Sequence, residues 1–191
     1  MLTKTTTLLF ITMVLLFSAA SQQYNSAPAQ ESKTKSDAPI KFPENYRQWV
    51  YLTTGFDMSY NPAMSMDHHM FDNVFVNPEA YKAFVETGTW PDKTVLVLEI
   101  RNSATKLSIN KDGRVQTDGG VGEIHVKDSS RGGWAFYGFA KGTTEGTLIP
   151  KTENCYSCHD QNGAVDSTFV QFYPTLIDTA KSKGTFKDGR Q

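Results

Sequence analysis

The feature that most constrains this chain is its only pair of cysteines, set three residues apart with a histidine directly after the second: Cys155-Tyr156-Ser157-Cys158-His159. On a helical turn the two thiols share a face and the imidazole falls beside them. C-x-x-C-H is the attachment sequence of c-type haem, in which the sulfurs reach the two vinyl groups while the ring comes up beneath the iron. The motif therefore predicts one haem c, covalent through two thioethers, with His159 as its metal ligand. The other ring nitrogen of His159 should find a backbone carbonyl or another acceptor. Three other uses of such a pair stay open: a zinc site completed by His68 and His69, a disulfide, or a redox dithiol. The redox use belongs at a strand-to-helix junction of a βαβ unit, whereas this pair follows a run of antiparallel strands.

An exported chain is the setting for such chemistry, and residues 1–20 read as a signal peptide. Lys4 precedes an apolar run over residues 8–17, and Ser18, Ala19 and Ala20 make a cleavage point. The run is about half of what a bilayer requires. Residues 21–40 are mostly polar, alanine and proline, a stretch too poor in apolar surface to offset its ordering entropy, and read as a flexible spacer. Residues 41–191 then form the folded domain, long enough for one hydrophobic core. With 19 basic against 20 acidic residues, the chain has no cationic surplus to bind nucleic acid or, after processing, a membrane surface.

Within that domain, Pro43 suits the first turn of a short helix bearing Tyr46, Trp49 and Val50 on one face. A stronger helix runs from an Asn77 cap and Pro78 to Gly88, with Tyr81, Phe84 and Val85 as its buried stripe. Strands are expected at residues 74–76, 94–101, 107–110, 114–117, 121–127 and 134–140, with Lys111-Asp112-Gly113 as a hairpin turn. Short helical turns follow around Phe169, Phe172 and Tyr173 and from Leu176 to Gly184. Strands joined without crossover helices make an antiparallel sheet, so the fold class is α+β, mostly antiparallel sheet with short flanking helices.

One motif means one haem, whose iron either takes a sixth protein ligand or keeps an open position. Met58, Met64, Met66, His68, His69 and Met70 cluster as candidates for that ligand, although methionines also fill core gaps. His125, alternating with Ile124 and Val126, reads as a solvent-facing or structural strand residue.

Several segments resemble the cytochrome P460 family, which includes the cytochromes c'-beta. They are Phe42-Pro43-Glu44-Asn45-Tyr46-Arg47-Gln48-Trp49, Phe75-Val76-Asn77-Pro78-Glu79-Ala80-Tyr81, Gly88-Thr89-Trp90-Pro91-Asp92-Lys93-Thr94-Val95, Val126-Lys127-Asp128 and Gly132-Gly133-Trp134-Ala135-Phe136-Tyr137, in that order. The resemblance implies a periplasmic, homodimeric, mostly antiparallel β protein with one five-coordinate haem and a proximal histidine. In cytochrome P460 proper a lysine is cross-linked to the porphyrin and hydroxylamine is oxidised to nitric oxide or nitrous oxide. The cytochromes c'-beta lack that lysine and bind nitric oxide or carbon monoxide in a phenylalanine-lined pocket. Residues 61–73 here contain no lysine, and Ser65, between Met64 and Met66, occupies the equivalent stretch.

The implied reading is therefore a haem protein that binds a small diatomic ligand, with Phe56, Phe71 and Met64 at the distal wall and Lys127 or Arg131 as basic groups for the haem propionates. A hydroxylamine-oxidising enzyme using Asp118 or Glu123 as proton acceptor is one alternative. A low-spin electron carrier serving a periplasmic redox partner is the other.

Overall fold

The computed structural model describes residues 38–59 and 68–190. The signal peptide, most of the spacer, and Met64 and Met66 lie outside them. Seven strands, Ile40–Lys41 (β1), Val50–Phe56 (β2), Met70–Val76 (β3), Val95–Ala104 (β4), Val115–Asp128 (β5), Gly133–Gly138 (β6) and Glu145–Leu148 (β7), pair antiparallel in the order β1-β7-β6-β5-β4-β3-β2. Among the described residues three α-helices, Pro78–Thr87 (α1), Asn154–Asn162 (α2) and Ile177–Ser182 (α3), accompany the sheet. This is the α+β architecture expected from the sequence.

β4 lies inside the sheet between β3 and β5, and it is apolar on both faces. Leu96 joins a core cluster with Phe84, Trp90, Phe136, Val165 and Leu176, between sheet and helices. Val97 points the other way, into a second cluster with Tyr46 and Ile124 that Phe42, Trp49, Phe75 and Phe139 help to cover. Burial on both faces is what the near-continuous apolar run TVLVLEI requires.

Five local expectations are corrected. Tyr46–Gln48 makes only a 3₁₀ turn, and Val50, instead of continuing a helix, pairs with Val76 at the start of β2. The β-branched and aromatic run that follows gains more from cross-strand packing than from another helical turn. Residues 107–110 form part of a turn, so the hairpin joins β4 to β5 with Ala104 opposite Val115. The expected strands at 114–117 and 121–127 are one strand, because Gly119 and Gly122 let β5 run close against β4. A Cβ at Gly119 would lie 2.2 Å from the Ile100 carbonyl oxygen, and one at Gly122 would lie 2.5 Å from Ile100 Cδ1. Finally, Asn77 Oδ1 accepts from the Val95 N–H at 2.8 Å rather than capping α1, which ties the helix start to β4. α1 ends as expected at Gly88, with φ +77, and it buries Ala80 and Phe84 while Val85 stays exposed.

Candidate haem site

The motif opens α2, with Glu153 at its N-cap. Cys155 and Cys158 are free, half-buried thiols on its first turns. The helix is docked by the first of the two residues between them. Tyr156 stacks on Phe136 of β6 with ring centroids 4.2 Å apart, its hydroxyl accepts from the Phe136 N–H at 2.9 Å, and it donates to the Ile149 carbonyl at 3.1 Å. Burial raises the Tyr156 pKa, keeping the phenol neutral and able to donate.

His159 sits one turn further, between Phe169 (4.4 Å), Phe136 (4.8 Å) and His125 (5.0 Å) by ring centroids. Its Nδ1 lies 2.9 Å from the Ser167 carbonyl oxygen. That contact assigns the proton to Nδ1 and leaves the Nε2 lone pair free. Burial and the neighbouring His125 hold the His159 pKa down to about 4, outweighing the Ser167 bond and Glu123, so the ring is neutral at pH 7. A neutral imidazole with one nitrogen anchored and the other free is the state that ligates a metal.

The two thiols and the imidazole open into a cavity of about 650 Å³ between α2 and the helical face of the sheet. Val74, Leu96, Leu98, Phe169, Phe172 and Tyr173 make much of its wall, and Thr53, Thr54, Gly55, Met58 and Asp72 line it from β2 and β3. Strand alternation selects the sheet residues: Leu98 opposes Glu123, and Leu96 opposes His125. Both β5 residues therefore face the cavity. His125 Nε2 is 2.9 Å from Glu123 Oε2, and its ring stacks on Phe136 at 3.8 Å. The hydrogen bond from His125 lowers the Glu123 pKa in spite of burial. Asp72 behaves in the opposite sense: burial, reinforced by the nearby Asp57 carboxylate, raises its pKa.

The structure brings Cys155, Cys158 and His159 together as the sequence predicts, but it takes Phe56 and Phe71 elsewhere. Phe56 and Phe71 are a cross-strand pair whose partners in alternation, Gly55 and Asp72, carry the cavity face. The two phenylalanines pack on each other at 4.9 Å, outside the cavity wall, and Phe56 stacks on His69. His69 binds Asp57, and with His68 it lines a separate pocket beside Asn102 and Ser103. The zinc alternative is therefore not assembled. Of the methionine cluster, Met58 reaches the cavity and Met70 begins β3. Asp118 is engaged outside the cavity by Asn102 and Thr117. Lys127 and Arg131 are committed to Asp166 and Asp128 rather than open to propionates.

Sequence reasoning missed Asp72 and the inward orientation of His125. Alternation was the available signal: once Ile124 and Val126 are seen to cover one buried face, Glu123 and His125 must meet the other.

The residues present fit a haem c. The cavity lies within the ordinary range for ligand pockets of about 300–1,000 Å³ and is walled largely by apolar groups. Two unpaired thiols stand at its edge, and a neutral histidine presents one unoccupied nitrogen to it. No lysine lines it among the described residues. No curated protein matches this chain. The family model for cytochrome P460 matches residues 43–170, which span β2 through α2 and every part of the site but Phe172 and Tyr173. The chain is a c-type haem protein of the cytochrome P460 family.

Proposed function

We propose that this is a periplasmic mono-haem protein that binds a small diatomic ligand, nitric oxide first among them, at an iron position left open opposite His159. The observation that carries the reading is the cavity: His159 presents an unengaged nitrogen to it, its wall is mostly aliphatic and aromatic, and no lysine lines it among the described residues. Cys155 and Cys158 would hold the haem through two thioethers, and His159 Nε2 would ligate its iron. When bound, the haem supplies an iron centre able to take up a neutral diatomic molecule. The chain's own residues do the rest. Ser167 fixes the imidazole, Tyr156 holds the helix against β6, and Val74, Leu96, Leu98 and Phe169 make most of the wall apolar. An apolar wall suits nitric oxide or carbon monoxide better than a ligand that develops negative charge. The signal-like residues 1–20 support export, and the family resemblance supports a homodimer.

A second reading, oxidation of hydroxylamine, is favoured by one specific observation: Asp72, with its raised pKa, stands in the cavity wall as a proton acceptor. Anaerobic titration of the reduced protein with nitric oxide, followed in the visible spectrum, tests the first reading, and saturable binding is expected. Turnover of hydroxylamine with an artificial electron acceptor, abolished by Asp72→Asn, would instead establish the second.

A further inference from the structure

The Ser167 carbonyl reaches His159 because the chain makes an unusual turn. Asp166 (φ +47) and Ser167 (φ +56) are consecutive non-glycine residues in the left-handed region. Such a conformation is costly and persists only where the surroundings over-determine it. The surroundings here are specific. Asp166 Oδ2 accepts from Lys127 Nζ at 2.9 Å and from the Trp90 N–H at 3.2 Å, and Lys127 Nζ also donates to the Trp90 carbonyl at 2.6 Å. The Asp166 carbonyl accepts from Trp134 Nε1 at 2.6 Å. Beneath the turn, Trp90 Nε1 donates to Thr168 Oγ1, which donates to the Val165 carbonyl.

We propose that the Lys127–Asp166 ion pair positions the axial histidine: by holding residues 165–168 in this turn it aims the Ser167 carbonyl at His159 Nδ1, and through that bond it sets how strongly Nε2 donates to the iron. The inference rests on the reading of His159 as the haem ligand. Its physical basis is that an acceptor on the far nitrogen makes the ligating nitrogen more basic and fixes the ring's orientation. Lys127 and Asp166 touch neither the cavity nor His159, so they are positioning residues and act through Ser167. The ion pair joins β5 to the turn, across the Trp90 backbone. The lysine therefore serves the proximal side and not a propionate.

The test uses the haem-loaded protein with Lys127→Met, Lys127→Arg, Asp166→Asn and Ser167→Ala. Thioether-bound haem is quantified for each, and the ferrous iron–histidine stretching band and the reduction potential are then measured. Lys127→Met should shift the band to lower frequency and the potential upward with haem content unchanged. Asp166→Asn, nearly isosteric, should shift both in the same direction by less, and it carries the test if Lys127→Met does not accumulate. Lys127→Arg should stay near wild type. So should Ser167→Ala, which keeps the carbonyl. Wild-type band and potential in both Lys127→Met and Asp166→Asn would overturn the proposal. A wild-type protein without thioether-bound haem would overturn the underlying reading of His159 and, with it, this inference, and that outcome is distinguished by the haem assay alone.

Discussion

Tyr156 shows how a residue between two functional cysteines acquires a structural task. Its hydroxyl satisfies the Phe136 N–H in the middle of β6, and Phe136 in turn packs against both His125 and His159. Tyr156→Phe keeps the stacked ring but leaves that buried donor and the Ile149 carbonyl without this partner. It should cost about 1–3 kcal/mol in denaturant unfolding, with little change in covalent haem. The motif residues divide differently. Cys158→Ala should leave at most one thioether, while His159→Ala should retain covalent haem and lose the spectrum of the proximal nitrogen, as acidic organic extraction and visible spectroscopy would show. Cys155, Cys158 and His159 were legible in the sequence because spacing alone fixes their relation on a helix. Phe56 and Phe71 were misplaced because a one-residue difference of parity on a strand moves a side chain to the opposite face. That parity could not be set until β2 and β3 had been paired.

At the scale of elements, the long β5 depends on Gly119, in the Gly119-Gly120 pair that a sequence reading takes for a break. Gly119 and Gly120 are adjacent yet not equivalent. A Cβ at 119 would meet the Ile100 carbonyl and the Arg101 Cα, whereas nothing lies within 4 Å of one at 120. Gly119→Ala should therefore destabilise by about 1–3 kcal/mol, and Gly120→Ala by much less, with paired thermal melts as the measurement. The helix α1 was read well because Pro78 and Gly88 punctuate it at both ends. β1 and β7 were not read at all: two and four residues carry too little periodicity, and their pairing of Ile40 with Gly146 is a long-range contact no local pattern encodes. Ile40, read as the end of the spacer, is thus part of the sheet. The α2 helix has little apolar patterning of its own. The haem motif, rather than amphipathicity, made it predictable.

Across the whole molecule, one carboxylate ties the turn at Tyr46–Gln48 to the sheet. Glu99 of β4 is 3% exposed and takes hydrogen bonds from Tyr46, Arg47, Asn73 and Arg101. Burial alone would raise its pKa, but these donors together lower it from an ordinary 4.5 to about 2. A depressed folded-state pKa means that the contribution is fully present above pH 4.5 and is lost as pH falls from there towards 2. Its size is about 1–3 kcal/mol, allowing for screening through the exposed Arg47. Glu99→Gln should lower stability at pH 7 and flatten the acid limb of the unfolding profile over that window.

The proposed open iron site is tested by the visible and resonance Raman spectra of the ferrous protein at neutral pH. A high-spin, five-coordinate spectrum that Met58→Ala leaves unchanged is expected. A six-coordinate, low-spin spectrum that Met58→Ala converts to high-spin would contradict it and assign the protein to electron transfer.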